Sequence, residues 1–430
     1  MTKTKKDILY LSVLFLLIVI TAIIKYQAWQ EEHVLTIGIY SGSSWDVPNN
    51  HQYQAFDYAI KQFKKKHPHV QIKYENGIQK SDYRNWLSEK IVQGKTPDLM
   101  IVPDNSFNLL AHDGAFKDLS GFMAEDKISP DRFYSVALDA GNLNDHQYAL
   151  PFQANPQFMV MNKDLLLRNK LSIPSFNWSP TELKKICHQL ALIKSKDPDL
   201  GITSDYKWDN ALLAYNYKLS KSKDNPIQLT NNAAIKGFNL IEYLQNVGHT
   251  RKVDSQLFDK GKVAFTPINL AKYRTYTSYP YYVTNEKSFT WNCLQMPHIK
   301  NAKATQIDVS MFAIASKARN PKLAWSFLKT LCLNPKVQQK AMKVNKGCSV
   351  LPQVVLNQKT QKILNQNSQG SLSTTKLNAI MNNGWNQPKL RNWSEVYNTL
   401  DHSIINALDT NTLDKHLFYI QQQTNSILKN

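Results

Sequence analysis

Along this chain the spacing of apolar positions changes in blocks. Residues 8–24 are apolar apart from Ser12 and Thr21, and Lys3, Lys5 and Lys6 precede them. As a helix rising ~1.5 Å per residue the run spans roughly 25 Å, slightly short of a ~30 Å hydrocarbon core. Lys25 can snorkel, and Tyr26 and Trp29 suit an interface. From residue 34 strand and helix patterns alternate. "VLTIGIY" (34–40) is rich in β-branched residues, and "YQAFDYAIKQFKKK" (53–66) carries a helical apolar stripe stopped by Pro68. "VQIKY" (70–74), "SDYRNWLSEKIV" (81–92, with Ser81 as a cap) and "LMIVP" (99–103) continue the alternation, and a short helix (107–111) ends at Gly114. Residues 34–113 therefore read βαβαβα, a largely parallel sheet covered by helices.

The pattern loosens after Gly141. "QYALPF" (147–152) and "QFMVMN" (157–162) read as two short strands around Pro151 and Pro156. Helices dominate 180–245. Strands return at "KVAFTP" (262–267), "FTWNCL" (289–294) and "VSMFAIAS" (309–316), and a helix follows over 321–332. Beyond Pro352 the chain reads helical except for "NNGWNQPKLRNW" (382–393), and "KSKDNP" (221–226) and "NQNSQGSLSTT" (365–375) read as polar loops. With 430 residues the chain exceeds the size at which single cores stop growing.

Charge places the chain in an environment. The leading lysines keep the N-terminus cytoplasmic, so the remainder is exported. No small-x-small site or following cysteine is present, which favours an uncleaved signal anchor over a cleaved signal or a lipid-modified cysteine. Residues 1–28 hold four lysines against Asp7, leaving +16 of the +19 net charge on the exported part. Outside a cell such charge favours anionic envelope polymers or lipid headgroups over nucleic acid, although the lysines are mostly dispersed and "KKK" (64–66) is their one cluster. Cys187, Cys293, Cys332 and Cys348 lack metal-site spacing; they read as buried free thiols ahead of disulfides, for which the sequence does not choose among three pairings.

Several blocks in order carry a family resemblance. "AIKQFKKKHPHVQIKY" and "LSEKIVQGKTPDLMIVPDNSFNLLAHDGAFKDLS" resemble the opening of the extracellular solute-binding proteins of carbohydrate ABC importers. "HQYALPFQANPQFMVMNKDLL" resembles their crossover strand, "NWSPTELKKIC" their Trp-led helix start, and "FDKGKVAF" their "GKxAM" strand. "MFAIASKARNPKLAWSFLKTLCLNPKVQQ" resembles the return to the first lobe. The resemblance implies an α/β, two-lobed periplasmic-binding-protein-like fold with a cleft between lobes, preceded here by one N-terminal signal-anchor helix (1–32 with its cytoplasmic tip and linker). By analogy the first lobe is 33–150 plus 307–350 and the second 151–306 plus 351–430. The implied function is capture of a carbohydrate, an oligosaccharide, for delivery to ABC permease subunits from the outer face of the cytoplasmic membrane, by a monomer without cofactor. The chain departs from the family in lacking the lipid-modified cysteine, in having Met161 before "NK", and in lacking an aromatic directly after the "GKxAM" strand unless Tyr273 serves.

Sugars present hydroxyls and flat CH faces, so their sites need aromatic platforms with amides or carboxylates. After the first strand, "SGSSWDVP" offers Ser44, Trp45 and Asp46; after the third come Asp104 and Asn105, which alternatively cap the next helix. "FQANP" offers Phe152, Gln153 and Asn155 where the chain crosses between lobes, or simply bends a hinge. Trp208 and Asp209, with Tyr206 nearby, sit at a helix start, and Asn269 and Tyr273 follow a strand. Trp385 and Trp393 occupy the 382–393 loop, which in the family lines the second lobe's side of the cleft. Enzyme signatures fail: "GKT" (94–96) lacks the earlier Gly that a phosphate loop needs, and "HPH" (67–69) is a helix terminator rather than a metal pair. Paired carboxylates need only be ~5–9.5 Å apart in space, so a glycoside hydrolase of envelope glycans is the rival class, and a membrane-tethered sugar sensor or scaffold a third.

Overall fold

This computed structural model describes residues 3–48, 53–193, 199–220, 222, 225–248, 253–277, 289–365 and 372–429, and within the first 33 residues the side chains of 11–26 and 33. The loops 221–226 and 365–375 therefore lie partly outside the described residues.

Helix α1 (Lys3–His33) runs without interruption into β1 (Val34–Gly38). There follow α2 (Gln54–Lys64), β2 (Gln71–Tyr74), α3 (Lys80–Val92), β3 (Leu99–Ile101) and α4 (Phe107–His112), the order expected from the pattern. Ser81 is not the cap of α3; Gln79 is, and it makes no side-chain capping bond. β2, β1 and β3 are parallel neighbours.

The two short strands expected around the prolines are one, β4 (Ala149–Asn162). Pro151 sits beside the bulge between Ser310 and Met311, where a missing N–H is tolerated. Residues 149–156 pair with β8 (Thr305–Ile314), which also flanks β3; residues 157–161 pair with β6 (Val263–Asn269) and 159–162 with β7 (Trp291–Leu294). At Pro156 the strand changes partners and sheets. β5 (Leu200–Ile202), hidden in a stretch expected to be helical, lies parallel to β6. "NWSPTELKKIC" forms α5 (Pro180–Ala191) with a reciprocal capping box between Ser179 and Glu182.

Buried side chains form two cores. Leu35, Phe63, Leu99, Phe312 and Phe327 belong to the first; Trp178, Phe238, Phe265, Leu400 and Leu417 to the second. Val354, Leu364, Leu377 and Met381 pack in the first core, and Trp393, Val396 and Leu400 in the second. All four cysteines are buried and none forms a disulfide. The apolar side chains of 11–26 stand exposed. Among the described residues no helix is long and apolar enough to cross a membrane.

Candidate functional site

A cleft of about 700 Å³ lies between the two cores, at the carboxyl ends of β1 and β3, where open α/β sheets hold ligands. Ser44, Trp45, Asp46, Asp104, Asn105, Asn155, Trp208, Asp209, Asn269, Trp385 and Trp393 all line it. Phe152, Gln153 and Tyr273 do not. Phe152 is buried edge-on against Phe312, and Tyr273 is buried against Phe158 and Trp291. Gln153 accepts from Asn345 Nδ2 at 3.0 Å. Of "FQANP" only Asn155 lines the cleft. Tyr206 is buried in the second core.

Lys80, at the start of α3, organises the first-lobe wall. Its ammonium lies 2.7 Å from Asp104 Oδ2 and 2.9 Å from Asp46 Oδ1, and donates to the Ser44 carbonyl at 3.0 Å. These partners hold its pKa above the ordinary lysine value although burial opposes them. Neither Asp104 nor Asn105 caps α4: its N-cap is Ser106, which makes no side-chain capping bond. Asn105 has φ 57°, the left-handed region that Asn tolerates better than most residues, and its carbonyl accepts from Ser394 Oγ at 2.9 Å.

The floor comes from the crossing strands. Asp308 pairs across β8 with Asn155, whose Oδ1 accepts from the Ala271 amide at 3.0 Å. Asp308 is open to the cleft's solvent yet walled by protein from both lobes. That confinement, and secondly the Asp104 charge, push its carboxyl up to about 6. On the same face of β8, Gln306 donates to Asp209 Oδ2 at 2.8 Å.

Asp209 opens the second-lobe wall. Its Oδ2 also accepts from Tyr397 Oη at 2.8 Å, and Tyr397 stacks on Trp208, whose indole N–H donates to Asp401 at 2.8 Å. Trp393 packs tilted against Tyr397, with ring centroids 6.2 Å apart. The three rings form an aromatic wall, Trp393 and Tyr397 from the helix Trp393–Asp409 and Trp208 from the start of the helix Trp208–Ala214. Trp385 is half-buried, held by pairing of Gly384–Trp385 with β8. The 386–391 stretch crosses to the first lobe, where Asn108 donates to the Pro388 and Leu390 carbonyls. Lys389 donates to the Ala140 carbonyl at 2.7 Å, and burial pulls its ammonium down to about 8.

Sequence reasoning missed Lys80, Gln306, Asp308 and Tyr397. The alternation Gln306, Asp308, Ser310 was the available signal, lying just before the strand expected at 309. Among the described residues no group of three or more His, Cys, Asp or Glu is placed to hold a metal ion.

The model of the bacterial extracellular solute-binding protein family matches residues 58–365. The chain belongs to this family. One curated relative of this solute-binding protein is the maltotriose-binding protein of Pyrococcus abyssi (strain GE5 / Orsay), 28% identical over 122 residues. That match spans 28% of this chain and only 26% of the relative's length. Among solved structures, the cyclic α-maltosyl-1,6-maltose binding protein of Arthrobacter globiformis superposes with a TM-score of 0.75 at 17% identity, over 92% of this chain and 99% of that one. The sugar-binding protein MalE of the phytopathogen Xanthomonas citri gives a TM-score of 0.73 at 14% identity, over 92% and 97% of the two chains. These likenesses show the two-lobed solute-binding fold.

Proposed function

We propose that this solute-binding protein captures an oligosaccharide between its lobes and delivers it, unaltered, to an ABC permease. The observation that carries this reading is the composition of the cleft. One wall is aromatic (Trp208, Trp393, Tyr397), and the facing wall and floor carry Asp46, Lys80, Asp104, Asn155 and Asp308. Stacking surface opposite fixed polar groups is what a sugar requires. The maltotriose-binding relative and the sugar-binding neighbours agree with it.

In this reading the first lobe comprises 33–150 and 307–381 and the second 151–306 and 382–430, with 352–381 assigned to the first because Val354, Leu364, Leu377 and Met381 pack in its core; β4 and β8 form the hinge. The chain acts as a monomer on the outer face of the cytoplasmic membrane, tethered through α1. Supporting the tether, the exposed apolar side chains of 11–26 continue in sequence to Ile8, with lysines before them. The described stretch alone falls short of the ~20 residues a span needs.

Thermal denaturation with linear and cyclic gluco-oligosaccharides tests the binding reading. A ligand at 100 times its Kd adds about 2.7 kcal/mol to stability, so at least one oligosaccharide should raise Tm by several degrees. No shift with any saccharide, alongside a shift with amino acids or peptides, would reassign the cleft.

A further inference from the structure

The floor of the cleft holds a carboxylate that the chain itself leaves unmatched. Asp308 lies on β8 opposite Asn155 and lines the cleft with Asp46, Lys80 and Asp104. Among the described residues no N–H or O–H donates to its carboxylate and no cation pairs with it. Its neighbours are all engaged. Asp209 accepts from Gln306 and Tyr397. Asp46 and Asp104 share the Lys80 ammonium, at 2.9 and 2.7 Å.

The local charge runs against that of the molecule. The charges that act on Asp308 are those of Asp104, Lys80 and Asp46. One ammonium among three carboxylates leaves two negative charges on the floor and first-lobe wall, in a chain whose net charge is +19. Lys218 and Lys389 also line the cleft, but neither acts on Asp308, and the Lys389 ammonium is turned to the Ala140 carbonyl. A carboxylate walled by protein is costly to keep ionised unless a cation or several donors meet it. A neutral sugar brings hydroxyl donors and leaves the excess charge in place. A protonated amine brings N–H donors and cancels a charge, and charge-assisted hydrogen bonds are roughly twice as strong as neutral ones.

We infer that the ligand is an oligosaccharide carrying a protonated amine, with Asp308 as the counter-ion of that ammonium and the rings of Trp208, Trp393 and Tyr397 against the sugar faces. The inference rests on the saccharide reading proposed above and narrows its ligand class. Two features favour an amino-saccharide over a bare polyamine. Stacked rings suit the flat CH faces of a sugar. Asn155 and Asn269 spend their Oδ1 atoms on the backbone amides of Ala271 and Lys272. Their side-chain N–H groups remain as donors, which a hydroxyl accepts and an ammonium cannot.

Isothermal titration calorimetry on the full chain, near neutral pH and at low salt, tests this. The probes are cello- and malto-oligosaccharides, their amino-deoxy counterparts with a protonated amine in place of a hydroxyl (chitosan oligomers in the cello series), and the N-acetylated forms of those amines, which keep the nitrogen without its charge. In at least one series the amine should bind about tenfold or more tightly than either counterpart, and in Asp308→Asn, which keeps the shape of the side chain, that preference should fall below about threefold. Hydroxyl forms that bind as tightly as their amines would overturn the cationic ligand while leaving the saccharide reading intact. An amine preference that survives Asp308→Asn would overturn Asp308 as its counter-ion. Spermidine binding as tightly as the best amino-saccharide would overturn both readings in favour of a polyamine, and no binding by any probe would also count against both.

Discussion

Two adjacent polar residues at the exit of β3 show how one stretch serves several ends. Asp104 is committed through its side chain to Lys80, and Asn105 through its backbone to a left-handed turn. Asp104→Ala should weaken saccharide binding about tenfold, or ~1.4 kcal/mol, while an exposed ion pair of this kind carries at most about 1 kcal/mol of stability. Asn105→Ala should do the reverse, costing about 1–2 kcal/mol of stability through its φ, and Asn105→Gly should recover most of it. Parallel melting and affinity measurements separate the two roles. Asp308 gives a pH signature. Its carboxyl titrates at about 6 when folded, above the ~3.9 of an unfolded chain. The folded chain therefore binds this proton more tightly, and its contribution to stability falls as pH rises from ~4 to ~6 and stays low above. Asp308→Asn should raise Tm near pH ~7.5 and leave it unchanged near ~4, a small effect because the group touches cleft solvent. The polar cluster around Lys80 was half legible. Asp46 and Asp104 stand out at strand ends, but nothing local marks a lysine at a helix start as their shared partner.

At the level of elements, period and punctuation were readable and pairing was not. The α2 stripe and Pro321 at the start of its helix announced themselves. β4 did not, since two prolines imply breaks unless one knows that a bulge and a change of sheet coincide with them. β5 has only three residues, too few to show a period. Helix α8 (Leu270–Tyr276) carries an unannounced clasp: buried Arg274 donates to the carbonyls of Met342 at 2.6 Å, Lys343 at 3.2 Å and Gly347 at 3.3 Å. This guanidinium ties the Leu270–Tyr276 helix to the end of the Pro335–Val344 helix and the turn that follows it. Arg274→Ala leaves three carbonyls with no donor, and at about 1–3 kcal/mol for each unsatisfied buried group chemical denaturation should register a loss of at least ~3 kcal/mol.

For the whole molecule, the order of blocks along the sequence revealed two lobes, because each lobe's sheet is built from several separated segments in a fixed sequence. That the stretches 352–364 and 374–382 pack on the first core was not legible, since such helices look alike whichever core they cover. The tether makes its own prediction. Protein extracted from membranes should have the intact mass of the full chain and resist release by carbonate, whereas a mature N-terminus near residue 23 or 29 with soluble protein in the medium would refute it. The central claim is that the cleft holds an oligosaccharide and leaves it whole. Native mass spectrometry of the protein incubated with an oligosaccharide panel tests it most directly. The expected spectrum is a one-to-one complex carrying the uncleaved sugar, lost in a Trp208→Ala, Trp393→Ala double variant. Absence of any adduct across the panel, or accumulation of shorter saccharides at enzyme-like turnover, would contradict it.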